Sequence, residues 1–76
     1  MSYEAAHEQL VKRLEAIREK RNMSKKAFSL MLGLSPYAYD YYISHGGMPN
    51  LYTAMVMAKS LGMTLDQMLG IKGGKS

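Results

Sequence analysis

The feature that most constrains this chain is a single glycine between two short apolar runs near its middle. Gly33 follows the first run, and glycine takes the left-handed conformation that ends a helix without steric cost. Ser35 is then placed to cap a second helix, and Pro36 suits its first position, where a missing N–H removes no hydrogen bond. Leu34 and Tyr39 have the spacing of a hydrophobic staple around that cap. These signals predict two short helices joined by a tight turn.

Similar signals recur along the chain and predict five helices in all. Gly62 ends a later helix as Gly33 does, and Asn50 is placed as a cap, as is Ser24. Thr64 and Gln67 have the spacing of a capping box. The predicted helices cover residues 1–22, 25–32, 36–44, 51–61 and 65–69. No segment alternates with period two, so the predicted fold class is all-α.

The apolar faces of these helices predict a single core. Its expected members are Leu10, Leu14, Ile17, Phe28, Leu32, Leu34, Tyr39, Tyr42, Leu51, Met55, Ala58, Leu61, Leu65 and Met68. Met57 is predicted to face outward from the fourth helix. Together with Val56 it is therefore the expected contact between two copies of the chain.

Length and composition limit what the protein can be. Its 76 residues allow one domain, predicted over residues 1–70, followed by a glycine- and lysine-rich tail, 71–76, that is predicted to be disordered. No run approaches the roughly 18 apolar residues of a membrane span, and no signal peptide is evident, so a cytoplasmic location is expected. With no cysteine, disulfides and thiolate metal sites are excluded. Because so small a core gives limited stability, a homodimer is expected.

Catalytic and metal chemistry find little support in the sequence. His7 and His45 have no nearby cysteine and no i,i+4 ligand partner that would indicate a metal site. Ser35, Asp40 and His45 do not form a triad, since Ser35 is predicted to be a cap and no oxyanion-forming loop is present. We therefore expect no enzyme activity, cofactor, metal or small-molecule substrate.

Several short motifs, in register over residues 10–69, carry a resemblance to a known family. They are Arg18, Met23-Ser24-Lys25, Leu32-Gly33-Leu34-Ser35, Pro49-Asn50-Leu51 with Thr53, and residues 58–69. In these motifs the chain resembles the lambda-repressor-like helix-turn-helix family, the phage repressor and Cro (XRE) type. The resemblance implies a five-helix domain that binds double-stranded DNA, usually as a dimer, with its third helix in the major groove. A sequence-specific transcriptional regulator is the expected function.

The chain departs from the family's pattern at several functional positions. The first residue of the second helix is Lys25, where the family commonly has Gln, and lysine can still reach a phosphate. Ile43 stands where a Glu usually pairs with the arginine of the first helix, so Arg18 must find another partner. Ser29 replaces the usual small residue in the middle of the second helix and still allows close packing.

Positive charge is unevenly distributed around the third helix. A basic cluster in the first third of the chain contains Lys12, Arg13, Arg18, Lys20, Arg21, Lys25 and Lys26. By contrast, residues 27–58 contain no Lys or Arg, and Asp40 is their only formal charge. The net charge of +4 suits a polyanionic partner. Because phosphate neutralisation dominates DNA affinity, weak or tyrosine-dependent DNA binding is expected.

The tyrosines of the third helix divide between two faces. Tyr39 and Tyr42 are expected to pack inward, with their hydroxyls at the rim, whereas Tyr37 and Tyr41 are expected to face outward. The predicted base contacts are Ser35, Tyr37, Ala38 and Tyr41. The predicted phosphate contacts are Lys25, Lys26, Ser44, His45 and Asn50. A tyrosine-rich, charge-poor surface is equally typical of protein–protein interfaces, so protein contact through this face is the alternative function.

Overall fold

The computed structural model describes residues 2–69, and these residues form five α-helices and no strand. The helices are α1 (Tyr3–Lys20), α2 (Lys25–Met31), α3 (Ala38–His45), α4 (Leu51–Leu61) and α5 (Leu65–Leu69). The all-α fold is therefore confirmed. The predicted tail, residues 71–76, lies outside the described residues. Within residues 2–69, no helix has the length and apolar character needed to cross a membrane.

Three of the helices end in the same way. A residue one or two positions beyond each helix has a positive φ: 55° at Asn22, 86° at Gly33 and 70° at Gly62. In each case the next N–H bonds back to a carbonyl five residues earlier, which satisfies carbonyls that would otherwise be unpaired. These bonds are Met23 N to Arg18 O (3.2 Å), Leu34 N to Ser29 O (3.0 Å) and Met63 N to Ala58 O (3.1 Å). The glycine-ended helices are thus confirmed.

The predicted helix caps are confirmed at α2, α4 and α5. The side-chain oxygen of Ser24 accepts from Ala27 N (3.0 Å). That of Asn50 accepts from Thr53 N (2.8 Å). Thr64 and Gln67 form the reciprocal capping box, with the Thr64 N–H donating to Gln67 Oε1 and the Gln67 N–H donating to Thr64 Oγ1.

The predicted start of α3 is wrong by two residues. Ser35 is not its cap and Pro36 is not its first residue, because Pro36 and Tyr37 lie in a turn closed by a bond from Ala38 N to Ser35 O (3.2 Å). The cap residue is Tyr37, and within the described chain its side chain makes no capping hydrogen bond. Leu34 and Tyr39 both pack in or against the core, but not in the register of a staple.

The core contains most of the residues predicted for it. Phe28, Leu32, Tyr39 and Met68 are fully buried, and the rings of Phe28 and Tyr39 meet edge to face with centroids 5.0 Å apart. Leu10, Leu14, Ala58 and Leu61 are also buried. Ile17, Leu34 and Leu65 are partly buried against this cluster, and Tyr42 is half-buried. The molecule therefore has one core, to which every helix contributes.

The side of helix α4 that faces the core differs in part from the one predicted. Leu51 and Met55, which were expected inside, are 68% and 56% exposed, whereas Met57 is fully buried. The buried stripe is Ala54, Met57, Ala58 and Leu61. Met57 is therefore excluded as a surface contact between copies. Its neighbour Val56 is half-buried, and a Cβ on Gly33 would lie 3.1 Å from its Cγ1, so α4 packs closely on the turn after α2.

Candidate nucleic-acid interface

Helix α3 presents one exposed side, which we call the outward face. Its residues are Tyr37, Asp40, Tyr41, Ser44 and His45, all of them exposed. On a helix these positions lie opposite the buried Tyr39. Tyr37 is 72% and Tyr41 is 56% exposed, so the predicted outward orientation of both tyrosines is confirmed. Ala38 is half-buried at the edge of this face.

The buried hydroxyl of Ser29 fixes α3 relative to α2. It accepts a hydrogen bond from Tyr39 N (3.1 Å) and donates one to the Ser35 carbonyl. The first bond satisfies one of the backbone N–H groups that every helix start leaves unpaired, a task predicted for Ser35. A serine from the preceding helix therefore caps α3. As a result, one fully buried side chain contributes to setting the angle between the two helices.

A second anchor joins the buried side of α3 to α1. The Tyr39 hydroxyl donates to Glu15 Oε2 (2.6 Å), and the same carboxylate receives two bonds from the Arg18 guanidinium, at 2.8 and 2.9 Å. Arg18 also donates to the Met23 carbonyl (2.8 Å), which holds the turn between α1 and α2. Glu15 is therefore the partner that Arg18 was expected to find in place of a Glu on the third helix. The guanidinium charge is balanced by Glu15, so Arg18 does not belong to the basic surface.

These contacts shift the pKa of each group. The hydrogen bond from Arg18 lowers the pKa of Glu15, with a further contribution from the Tyr39 hydroxyl. Burial raises the pKa of Tyr39 far above its usual range, and the bond to Glu15 adds to this. The bond to Glu15 also raises the pKa of Arg18. At neutral pH the network is thus a carboxylate, a guanidinium and a neutral phenol.

The start of α1 holds the other end of α3. The Tyr3 hydroxyl donates to the Gly46 carbonyl (2.7 Å), and His7 Nε2 lies 2.7 Å from the Tyr42 carbonyl oxygen. Because a carbonyl can only accept, this contact requires the proton on Nε2 of His7. Both bonds satisfy carbonyls at the end of α3, and α3 is therefore fixed at both ends.

An ion pair connects α2 to the outward face. Lys25 Nζ lies 3.5 Å from Asp40 Oδ1, and both side chains are about half exposed. The pair places a cation beside the only acidic group of α3. Lys25, predicted to contact phosphate, is therefore next to the outward face, but Asp40 partly neutralises its charge.

Tyr41 is held in a defined position. Its ring stacks on that of His45, with centroids 4.7 Å apart and an angle of 15° between the planes. Gly47 lies against the same ring, since a Cβ there would come within 3.3 Å of Tyr41 Cε2 and of Tyr42 Cδ1. Tyr41, a predicted base contact, and His45, a predicted phosphate contact, are thus brought together at the end of α3.

The remaining predicted contact residues are placed less closely together. Lys26 is exposed on α2, and Ser35 is exposed in the turn before α3. Asn50 is exposed at the start of α4, where its side-chain oxygen is used as a cap. Its amide NH₂ is then the group that remains to donate to a phosphate.

The residues that position α3 were not all predicted. Tyr3 and His7 continue the stripe of Leu10 and Leu14 toward the start of α1, so helical spacing contained the signal that they face the rest of the molecule. Glu15 lies off the stripe of Leu10 and Leu14, so its spacing gives no sign that it meets Tyr39. Only the folded arrangement of α1 and α3 brings these two together.

Two short helices joined by a left-handed glycine turn, with the second exposed along one side, define a helix-turn-helix domain. The model of the Helix-turn-helix family matches residues 14–68, which is more than half of the chain. The protein belongs to this family, the XRE or lambda-repressor-like type, whose members are DNA-binding regulators. No match was found among curated proteins or among solved structures.

Proposed function

We propose that the protein is a cytoplasmic, sequence-specific transcriptional regulator that binds DNA as a homodimer, with α3 in the major groove. The observation that carries this proposal is the position of Lys25, whose ammonium group borders the outward face of α3. A cation beside an exposed helix can bind phosphate while the helix meets base edges. In this proposal Ser35, Tyr37, Ala38 and Tyr41 contact bases. Phosphates are held by Lys25, Lys26, Ser44, His45 and Asn50.

A salt titration of binding to a random-sequence duplex tests the DNA contact. If Lys25 and Lys26 of both protomers neutralise phosphates, the logarithm of the association constant should fall with the logarithm of salt concentration with a slope of about −4. A slope near zero, or no binding at low salt, would overturn the proposal.

Lysine variants locate the contact. Replacing Lys25 and Lys26 together by alanine should bring the slope close to zero. Lys12→Ala is the matched control, because Lys12 is exposed on the side of α1 opposite Leu10 and Leu14 and should leave the slope unchanged. An equal effect of the control would show that net charge, and not the position of the lysines, controls binding.

The proposed dimer uses the exposed side of α4. Leu51, Tyr52 and Met55 are all more than half exposed there. Met55 also borders an apolar groove whose other lining residues are Ala58, Lys59, Met63 and Leu65. An apolar surface of this kind is typical of contacts between subunits, and a second copy is the partner that a two-fold DNA site requires.

Sedimentation velocity at micromolar concentrations tests the dimer. We expect Met55→Glu to convert a dimer into a monomer, because it puts a charge in the apolar contact. Leu30→Glu is the control, since Leu30 is exposed on α2, opposite Phe28. A wild-type monomer at high micromolar concentration would contradict the dimer.

The alternative is a helix-turn-helix fold used mainly for protein contact. The exposure of Tyr37 and Tyr41, on a helix without lysine or arginine, favours it. Under this alternative, the double substitution of both tyrosines by alanine should abolish association with a protein partner and leave DNA affinity unchanged. A loss of DNA affinity in the same variant would exclude it.

A further inference from the structure

The outward face of α3 has few groups that distinguish one base from another by hydrogen bonding. In the major groove, Arg or Lys identifies guanine, Asn or Gln identifies adenine, and a carboxylate identifies cytosine. Residues 35–45 contain no Arg, Lys, Asn or Gln. Serine and tyrosine hydroxyls both donate and accept, so they bond to more than one base and discriminate weakly. The other polar group of this face, the His45 ring, is stacked on Tyr41. Asp40 is the one side chain of α3 suited to cytosine.

The position of Asp40 makes it a poor cytosine contact. Its carboxylate is 3.5 Å from the Lys25 ammonium group, so the acceptor is already engaged by a cation. Helical spacing also places Asp40 toward the α2 edge of the outward face, away from the line of Tyr37 and Tyr41. Hydrogen-bond recognition of guanine, adenine and cytosine is therefore weak on this surface.

The apolar groups of the outward face offer another way to recognise a base, by van der Waals contact. Tyr37 exposes most of its side chain just before α3, and Tyr41 follows one turn later on the same side. Ala38 adds a methyl group at the edge between them. The Tyr41 ring is already fixed by His45 and Gly47, so little side-chain entropy is lost when it contacts a ligand. Apolar side chains in the major groove contact the C5-methyl group of thymine.

We propose that α3 recognises its DNA site mainly through thymine C5-methyl groups, which contact the rings of Tyr37 and Tyr41 and the methyl group of Ala38. This specificity rests on the DNA-binding function proposed above. It assigns the lysines of α2 to general phosphate attraction and the tyrosines to the choice of sequence. A site bound in this way should be rich in thymine at the positions facing the start of α3.

Replacement of thymine by deoxyuridine tests the proposal, since it removes one methyl group and leaves every hydrogen-bonding group in place. The duplex is first obtained by selection from a random library with the full chain. Each thymine is then replaced singly. We expect about a fourfold loss of affinity at each contacted position, the effect of one methyl group that is no longer buried. A duplex with 5-methylcytosine at a contacted position should also bind more tightly than the same duplex with cytosine there, because only the first carries the methyl group.

Protein variants assign the methyl contacts to their side chains. Tyr41→Phe keeps the ring and should keep the loss on deoxyuridine replacement. Tyr41→Ala removes the ring, so thymine and deoxyuridine should then bind equally at the position that Tyr41 contacts. Lys26→Ala is the control, because it should weaken all duplexes alike and leave the deoxyuridine effect at fourfold.

The outcomes separate this proposal from the general DNA-binding function. Salt-dependent binding with no effect of deoxyuridine at any position would overturn the thymine contact and leave DNA binding intact. A deoxyuridine effect that persists at every position when Tyr37 and Tyr41 are both replaced by alanine would also overturn it, since the rings would then carry none of the contacts. A chain that binds no duplex at low salt would overturn both.

Discussion

Tyr39 and Tyr41 lie two positions apart on α3 and have opposite environments. Tyr39 is fully buried, stacks edge-on against Phe28 and donates to the Glu15 carboxylate. Tyr41 is more than half exposed, and its ring lies against its near neighbours His45 and Gly47. The comparison shows that the tyrosines of one helix have two different roles. The inward side positions the helix, and the outward side is available for a ligand.

The largest expected effect follows from truncating the inward tyrosine. Tyr39→Ala should lower the free energy of unfolding by about 3–5 kcal/mol, because it leaves a cavity in the core. Tyr41→Ala, on the same helix, should change it by no more than about 0.5 kcal/mol. Urea denaturation followed by circular dichroism measures both. Similar losses in the two variants would contradict the division between the two faces.

The next largest effect concerns the serine that joins α2 to α3. Ser29→Ala should cost about 1–3 kcal/mol, because the buried N–H of Tyr39 and the Ser35 carbonyl both lose their partner. Ser44→Ala removes a hydroxyl from the outward face instead and should cost no more than about 0.5 kcal/mol. If urea denaturation shows no difference between these two variants, the Ser29 bridge does not hold α3.

A smaller, pH-dependent effect is expected at Glu15. Because its pKa is lower in the folded protein than in the unfolded chain, the folded state binds fewer protons, and stability from this group is present above the unfolded value of about 4.5. That stability is lost as the pH falls through the lowered pKa. Glu15→Gln should therefore cost about 1–2 kcal/mol at pH 7 and progressively less in acid.

Urea denaturation of wild type and Glu15→Gln at a series of pH values from 7 to 3 checks this prediction. Glu8→Gln is the matched control, since Glu8 is exposed on α1 and should show no such trend. A Glu15→Gln difference that stays constant down to pH 3 would exclude the carboxylate as the source of stability.

The sequence predicted the helices and their ends better than it predicted the orientation of α4. Caps and left-handed glycines are local signals, so Ser24, Asn50 and Gly62 could be identified from their immediate neighbours. Helix α4 is apolar on most sides, and its residues fit two stripes that share Ala54, Ala58 and Leu61. Helical spacing alone cannot choose between Leu51 with Met55 and Met57, because the choice depends on which side the other helices cover.

The candidate site shows the same division between local and long-range information. The outward position of Tyr37 and Tyr41 follows from their spacing relative to Tyr39 and was predicted. The cap of α3 was not, because Ser29 reaches it from another helix and Ser35 is the obvious local candidate. The Lys25–Asp40 pair likewise joins two helices. Contacts of this kind depend on the angle between α2 and α3, and local sequence signals do not determine that angle.

The smallest expected effect tests the outward face alone. Asp40→Asn releases Lys25 from its ion pair and removes a negative charge that faces the proposed phosphate contacts. Affinity for a random-sequence duplex at low salt should rise about threefold, and the salt dependence should steepen by less than one unit per protomer, because Lys25 already contributes to the slope expected for the wild type. The stability cost should stay below about 1 kcal/mol, because the pair is exposed. Asp66→Asn makes the same change in net charge on α5 and should not alter the slope. If both variants raise affinity equally, the total charge is responsible. If only Asp40→Asn raises it, Asp40 weakens DNA binding through its ion pair with Lys25. In that case the outward face of α3 changes DNA affinity and its inward side sets stability.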